Sequence, residues 1–445
     1  MLTGQNVIVV GLGKSGISAA KLCLRLGAQV VGTDSAPLEK LSEEARALGI
    51  PLVTGGHLGV PFDSADLIVV SPGVPALPEL LAAEANGVEV IGELELAARQ
   101  LSAPIVAIGG TNGKSTTTTL IGELLRAAGQ RVFVGGNLGT PASDASEGSY
   151  DSVVLEVSSF QLERAPRFHP RVSLLLNITE DHLDRYPSFL AYAEAKGNAF
   201  VQQVADDSAI VPFDDRECLR QARRGRGRVL SFGGAGDFGL DGATVVERAS
   251  GQRYDLRTTR LFGRHNHENA AAAIAAVRDL GVAPGLVQSA LDAFVPLPHR
   301  MAYVGQARGV RFYDDSKGTN VGASVTALRG LSETKGVLIA GGRDKLGDYE
   351  PLVQALEAKA RAVVVIGEAA QRITDAVQNR TAVVRAHSLT EAVEAAFRLA
   401  QPGDAVLLSP ACSSFDMFKS YADRGDQFVA AVTALIARLS QEERA

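Results

Sequence analysis

The sequence predicts an α/β protein of three consecutive modules, Rossmann-like at the two ends and built around a phosphate loop in the middle. Three observations carry this. Short aliphatic runs that close on Gly, Asp, Asn or Ser alternate with helical patterns along the chain, as layered parallel strands and covering helices require. Two of those runs enter glycine-rich turns, at 11–16 and 109–115. The pattern breaks near 92–102 and again at PLPHR (296–300), where Pro296 and Pro298 punctuate the chain as a linker would. The expected modules are therefore 1–95, 96–297 and 298–445.

In the first module NVIVVGLG (6–13) leads to a helix over about 15–26, followed by strand patterns AQVVGTD (28–34), DLIVVSPG (66–73) and VEVIGELEL (88–96). The second opens with APIVAIGG (103–110) and continues through RVFVGGN (131–137), SVVLEVSSF (152–160) and RVSLLLNIT (171–179). A Gly/Arg-rich interval near 223–242 then precedes an amphipathic helix, HNHENAAAAIAAVRDLG (265–281). The third holds GVRFYDDS (309–316), GVLIAGG (336–342), RAVVVIG (361–367) and DAVLLSPA (404–411). Ligands of open α/β sheets gather at the carboxyl ends of strands, so three such edges facing one another would make a multi-substrate cleft.

Bulk composition narrows the class. The 445 residues are 46% hydrophobic and 21% charged, the balance of an ordinary globular protein with room for several cores. A net charge of −6 offers no general attraction to nucleic acid or an anionic membrane. The one basic run, RQARRGRGR (220–228), lacks aromatics to stack on bases and reads as a solvated surface loop. Cys23, Cys218 and Cys412 lie far apart with neither metal-ligand nor redox spacing, which suits a reducing cytoplasm. The N-terminus runs straight into a strand pattern, and no segment reaches the ~18–20 apolar residues of a membrane span. The expectation is a cytoplasmic monomer that partners neither nucleic acid nor membrane.

The two glycine turns differ in information. GLGKSG (11–16) fits G-x-G-x-x-G, and Asp34 ends the next strand where a ribose-binding acid belongs. Alone, that motif favours a dinucleotide, with a bare strand–helix turn as the bland alternative. GTNGKST (110–116) is more specific: Gly113, Lys114 and Ser115 supply backbone N–H groups for phosphate oxygens, an ammonium for the β/γ-phosphates and a hydroxyl for Mg²⁺. This makes the central module a P-loop-type ATPase module, although Ile108 stands where a strict Walker A has its first glycine. Glu156, late in an apolar strand, is costly there without a cation. NITEDHLDRY (177–186) gathers Glu180, Asp181, His182 and Asp184 on one loop. DDSKGTN (314–320) and SPACSSFDMFKSY (409–421) close third-module strands with acid, ammonium and hydroxyl groups together.

GTNGKST, GGNLGTP (135–141), EVSSFQLE (156–163), NITEDHLDRY, HNHENAAAA (265–273) and PLPHR stand in the order seen in Mur ligases, the ATP-dependent amide-forming enzymes of peptidoglycan precursor synthesis. The chain resembles that family over essentially its whole length. DDSKGTN and SPACSSFD resemble the members that add D-glutamate to UDP-N-acetylmuramoyl-L-alanine, and the Asp-Asn-Pro-Arg tetrapeptide of the diaminopimelate-adding members is absent.

The resemblance implies that the first module holds the UDP end of a substrate rather than a dinucleotide, through Gly13, Ser15 and Asp34, joined by Asn137, Ser158, Gln161 and His182. It implies that ATP is held by Gly110, Thr111, Asn112, Gly113, Lys114, Ser115, Thr116, Asn266, Asn269, Arg300, Asp315 and Lys317. Two Mg²⁺ ions are implied, one on Ser115 and Glu156, another involving His182 and Lys196 as a carbamate. Lys196 alone would read as an exposed helix lysine, but a carbamate is an anionic oxygen ligand where an ammonium would repel the cation. D-Glutamate is implied at Thr319, Lys345, Ser414 and Tyr421, and catalytic roles at Lys114, His182, Lys196 and Asp315.

Overall fold

The computed structural model describes residues 1–181, 185–344 and 348–442. Its strands fall into three separate sheets, each followed along the chain by the next. The first contains β1 (Asn6–Val10), β2 (Gln29–Asp34), β3 (Leu52–Thr54), β4 (Leu67–Val70) and β5 (Glu89–Gly92), all parallel, in the order β3-β2-β1-β4-β5. β4 is buried along its whole length, as expected of a central parallel strand covered on both faces. The strand order reverses between β1 and β4, which opens a crevice at their carboxyl ends.

The central sheet takes β6 (Ile105–Gly109), β7 (Val132–Gly136), β8 (Ser152–Glu156), β9 (Val172–Leu175), β10 (Ser208–Pro212), β11 (Arg228–Phe232), β12 (Phe238–Asp241), β13 (Thr244–Glu247) and β14 (Gln252–Asp255). Their order is β14-β13-β12-β11-β10-β9-β6-β8-β7, parallel from β7 to β12 and antiparallel in the last three. β6 thus lies between β8 and β9, and the turn that follows it opens over both. The helices Lys114–Ala127 and Arg264–Asp279 pack together on one face.

The third sheet comprises β15 (Ala302–Ala307), β16 (Val310–Asp314), β17 (Gly336–Gly341), β18 (Ala360–Ile366), β19 (Ala382–Arg385) and β20 (Ala405–Leu408). It runs β15-β16-β20-β17-β18-β19, with only the edge strand β15 antiparallel. The three-module α/β expectation holds.

Local readings need correction in three places. VEVIGELEL does not continue as a strand: β5 stops at Gly92, which caps a helix, Glu93–Ala98. Its buried acids turn inward to partners, Glu93 accepting from the Ser143 N–H and Glu95 from Arg99 and the Arg167 N–H. The Gly/Arg-rich interval is not featureless, since it contains β11 and β12, and the basic run 220–228 starts inside the end of a helix, Arg216–Ala222. The alanine-rich helix is buried all round from Asn269 to Val277, because alanine lets it lie close against both the sheet and the phosphate-loop helix.

Candidate active site

The phosphate loop turns on Gly113, which is both left-handed and closely approached. Gly113 caps the helix Lys114–Ala127 at φ 85°, and a Cβ there would sit 2.4 Å from Asn269 Oδ1. Only glycine meets both conditions. The loop is pinned from β9's end: Asn177 accepts from the Thr111 N–H at its carbonyl and from the Asn112 N–H at its side chain, and donates back to the Asn112 carbonyl. Helix N–H groups and the helix dipole then face the cleft, a ready site for anions.

Three polar side chains converge at the loop's foot. Ser115 Oγ donates to Glu156 Oε2 at 2.5 Å, and Asn137 Nδ2 donates to Glu156 Oε1 at 2.7 Å. Glu156 is 3% exposed and takes both bonds at the carboxyl end of β8. Lys114 Nζ folds back onto the carbonyls of Gly110 and Thr111, at 3.0 and 2.9 Å. Lys196, from the helix Phe189–Gly197, is 3% exposed and donates to the same Gly110 carbonyl at 2.8 Å, its ammonium 4.4 Å from the Tyr192 ring centre. Burial, and then the charge of Lys114, hold the Lys196 amine well below the ordinary lysine range. Burial lowers Lys114 as well, opposed by Glu156 and Asp181. Lys196 is therefore no exposed helix lysine. Gly197 beside it leaves room for the Gln221 side chain, whose Oε1 would lie 2.1 Å from a Cβ there and would have to shift for any larger residue.

The third module closes over this loop. A space of about 80 Å³ is lined by Asn112, Gly113 and Thr116 below, by Asn266, Asn269 and His265 on the alanine-rich helix, and by Arg300, Asp315 and Lys317 above. Arg300 sits between two residues with left-handed backbones, His299 (φ 61°) and Met301 (φ 51°), so the module junction itself aims the guanidinium. Asp315 accepts from Ser409 Oγ at 2.7 Å, and burial pushes its carboxyl up to about 7 against the pull of that bond and of Arg300. Asn320 caps the helix Val321–Arg329 and reaches across the cleft to Asn112 Oδ1 (3.4 Å) and Asp181 Oδ2 (3.3 Å).

Farther into the third module, Tyr421 opens the helix Tyr421–Glu442 and carries the Lys317 ammonium 4.1 Å above its ring centre. Thr319 lies on the same loop as Lys317, and Ser414, 2% exposed, on the loop after β20. Both loops are tied by Arg424, a fully buried guanidinium that donates to Ser316 Oγ, the Ser316 carbonyl and the Cys412 carbonyl. Burial pulls Arg424 down to about 10.

The crevice of the first sheet opens on the opposite side of Glu156. A cavity of about 530 Å³ is lined by Gly13, Ser15 and Asp34 from the first module and by Asn137 and Gln161 from the central one. Gly13 caps the helix Lys14–Arg25, and Asp34 spends both carboxylate oxygens on backbone donors, Leu12 N–H and Ala36 N–H. Ser158 and Gln161 form a reciprocal capping box, each bonded to the other's backbone N–H. His182 and Lys345 lie outside the described residues.

Asn177 and Asn320 stood in the motifs NITEDHLDRY and DDSKGTN without a role of their own, and Arg424 escaped the sequence reading. Asn177 had a clue, an amide at the end of a buried strand facing a glycine turn; Arg424, inside an ordinary helix pattern, had none.

Comparison with known proteins matches each module in turn. Family models described as Mur ligase MurD-like N-terminal domain, Mur ligase middle domain, and Mur ligase glutamate ligase domain match residues 5–92, 108–277 and 299–412. A UDP-N-acetylmuramoylalanine–D-glutamate ligase of Syntrophotalea carbinolica is 45% identical, covering 97% of this chain and 98% of its own. The enzyme of the same name from Myxococcus xanthus is also 45% identical, over 98% and 99%. Among solved structures, a MurF ligase from Thermotoga maritima in complex with ADP superposes with a TM-score of 0.60 at 18% identity, covering 100% of this chain and 96% of that one. A folylpolyglutamate synthase from Mycobacterium tuberculosis shares the fold at a TM-score of 0.58 and 16% identity, but over 75% of this chain and 92% of its own.

Proposed function

The chain belongs to the Mur ligase family, and from that premise we propose how its cleft works. It is an ATP-dependent ligase that joins D-glutamate to the L-alanyl carboxyl of UDP-N-acetylmuramoyl-L-alanine in peptidoglycan precursor synthesis. The observation that carries the reading is Glu156. One oxygen meets the phosphate-loop hydroxyl and the other meets Asn137 of the UDP-side cavity, so triphosphate and the carboxylate that is to be phosphorylated are led to one place.

A carboxylate is a poor acyl donor because its leaving group would be oxide. Transfer of the γ-phosphoryl group from ATP to the alanyl carboxylate makes an acyl phosphate and releases ADP. The D-glutamate amine attacks the carbonyl carbon, sheds a proton, and the C–O bond to phosphate breaks. The work of the chain is positioning and charge compensation. Lys114 and the loop N–H groups hold the phosphates, Arg300 faces the same space, and closure by Asn320 keeps water from the acyl phosphate.

Ser115 and Glu156 suit a magnesium ion. They are hard oxygen donors already in contact, and no group of three or more His, Cys, Asp or Glu side chains able to hold a metal gathers among the described residues. Such a sparse protein ligand set belongs to a metal that takes its other ligands from phosphate and water. When bound, the ion neutralises phosphate oxygens so that a second anion can approach. A second ion, with His182 and carbamylated Lys196, belongs to the same proposal. Its support is the crowding of two ammonium groups on one carbonyl, with no carboxylate paired to Lys196 among the described residues. Converting Lys196 to a carbamate, by attack of its neutral amine on CO₂ with loss of a proton, replaces that repulsion with attraction. D-Glutamate is assigned to the third-module loops carrying Thr319, Ser414 and Tyr421.

The test is phosphate release from ATP with UDP-N-acetylmuramoyl-L-alanine and D-glutamate added singly and together. Dependence on both is expected; phosphate release indifferent to either would overturn the reading. Activity that falls in CO₂-free buffer and returns with bicarbonate is expected for wild type, and full activity of Lys196→Ala in CO₂-free buffer would remove the carbamate.

A further inference from the structure

The UDP-side cavity contains a histidine with no role so far. His57 lines its wall beside Asp34 and Ser35. Its place is set by the turn after β3: Gly55 (φ 76°) and Gly56 (φ 135°) donate to the carbonyls of Ala36 and Asp34, which folds the turn onto the loop that follows β2. The ring is then fixed by Nδ1, 2.9 Å from Thr33 Oγ1, with Phe62 edge-on to it.

Strand order says which part of a uridine diphosphate would reach this ring. The glycine turn after β1 and the helix it caps take the diphosphate. Asn137 and Gln161, from the central module, line the cavity on the other side, toward Glu156 and the acyl end. The sheet runs β3-β2-β1-β4-β5, so a ligand with its diphosphate over β1 and its sugar toward the central module lays its nucleoside over β2 and β3. His57 stands at that end.

Thr33 also decides the ring's tautomer. It is fully buried, and among the described residues its hydroxyl meets no other acceptor. The buried hydroxyl proton needs an acceptor and Nδ1 is the one in reach, so the favoured arrangement donates to Nδ1 and leaves the ring proton on Nε2. Nε2–H is the edge of the ring that Thr33 leaves open, and it is a donor.

Resting on the proposed UDP-substrate reading, we propose that His57 is a base-reading residue, donating Nε2–H to the uracil O4 carbonyl and selecting uracil over cytosine, which carries an exocyclic amine, itself a donor, at that position. A donor facing a donor is left unpaired, which is the stronger form of discrimination.

Competition binding of UDP and CDP to the full-length protein tests this, alongside steady-state kinetics. Wild type is expected to prefer UDP by about tenfold or more, one good hydrogen bond's worth. In His57→Ala that preference collapses, the KM for the UDP-substrate rises about tenfold, and kcat and the KM values for ATP and D-glutamate hold steady. Thr33→Val, which keeps the volume but removes the hydroxyl that holds the ring and its tautomer, is expected to narrow the UDP/CDP ratio while the protein still folds. An unchanged ratio in His57→Ala overturns the proposal, as does an equal loss of UDP and CDP, which would mark a structural role. Wild type that binds neither nucleotide overturns the reading of the cavity itself.

Discussion

Gly113 shows how little latitude the phosphate loop has. A methyl group there meets Asn269 Oδ1, and the backbone is left-handed as well. Gly113→Ala is expected to cost about 1–3 kcal/mol and to raise the KM for ATP; adding Asn269→Ala should recover part of the stability while leaving ATP binding poor. Thermal unfolding of the single and double variants, with ATP titrations, checks both halves. Lys114→Met is expected to lower turnover by about a thousandfold, with native folding by circular dichroism, since on the proposed reading it removes the cation that holds the transferring phosphates. At this scale much of the chemistry was legible beforehand. Gly-Lys-Ser after a buried strand states its purpose, and so does a carboxylate closing β8. Lys196 was not legible from its own surroundings, because a lysine in the last turn of a helix usually points to solvent; only the tertiary approach of the helix Phe189–Gly197 to the phosphate loop buries it.

Elements meet through buried acids as much as through apolar faces. The helix Glu93–Ala98 docks the first module on the segment Ala142–Glu147, where Glu93 is buried and accepts from Ser143 N–H. Burial pushes Glu93 up to about 7. A carboxyl raised above its unfolded value adds stability that is full below the ordinary glutamate range and is lost as the pH climbs through about 7. Glu93→Gln, which carries no such titration, should therefore match wild type near pH 4.5 and exceed it at pH 8 by on the order of 2 kcal/mol. Melting midpoints across that range measure the difference, and parallel pH profiles would refute it. The sequence read Glu93 as part of a strand because alternating Glu and Leu mimic a period of two. The helix wins because both acids find internal partners on the neighbouring module. β11–β14 were missed for a related reason: short, half-exposed strands between glycine turns carry little hydrophobic pattern.

Across the whole molecule the nucleotide space is too small for its occupant. About 80 Å³ remains beneath the third module, whereas sites for ligands of nucleotide size run to several hundred. ATP is expected to enter through an opened form that turns about the junction at His299–Met301, and a tether across the cleft tests this. Gly322 and Thr179 face each other across the cleft, a Cβ on Gly322 falling 3.1 Å from Thr179 Oγ1. That proximity suits a disulfide. Thr179→Cys with Gly322→Cys, oxidised without nucleotide, should lose nearly all turnover and regain it with reductant; equal rates in the oxidised and reduced forms would mean that the modules need not part. The interior placement of Cys23, Cys218 and Cys412 has a practical corollary. A maleimide dye offered to the native fold would find no thiol of the protein's own on the surface, so fluorophores attached at one engineered cysteine on each module could report the distance across the cleft as ligands arrive.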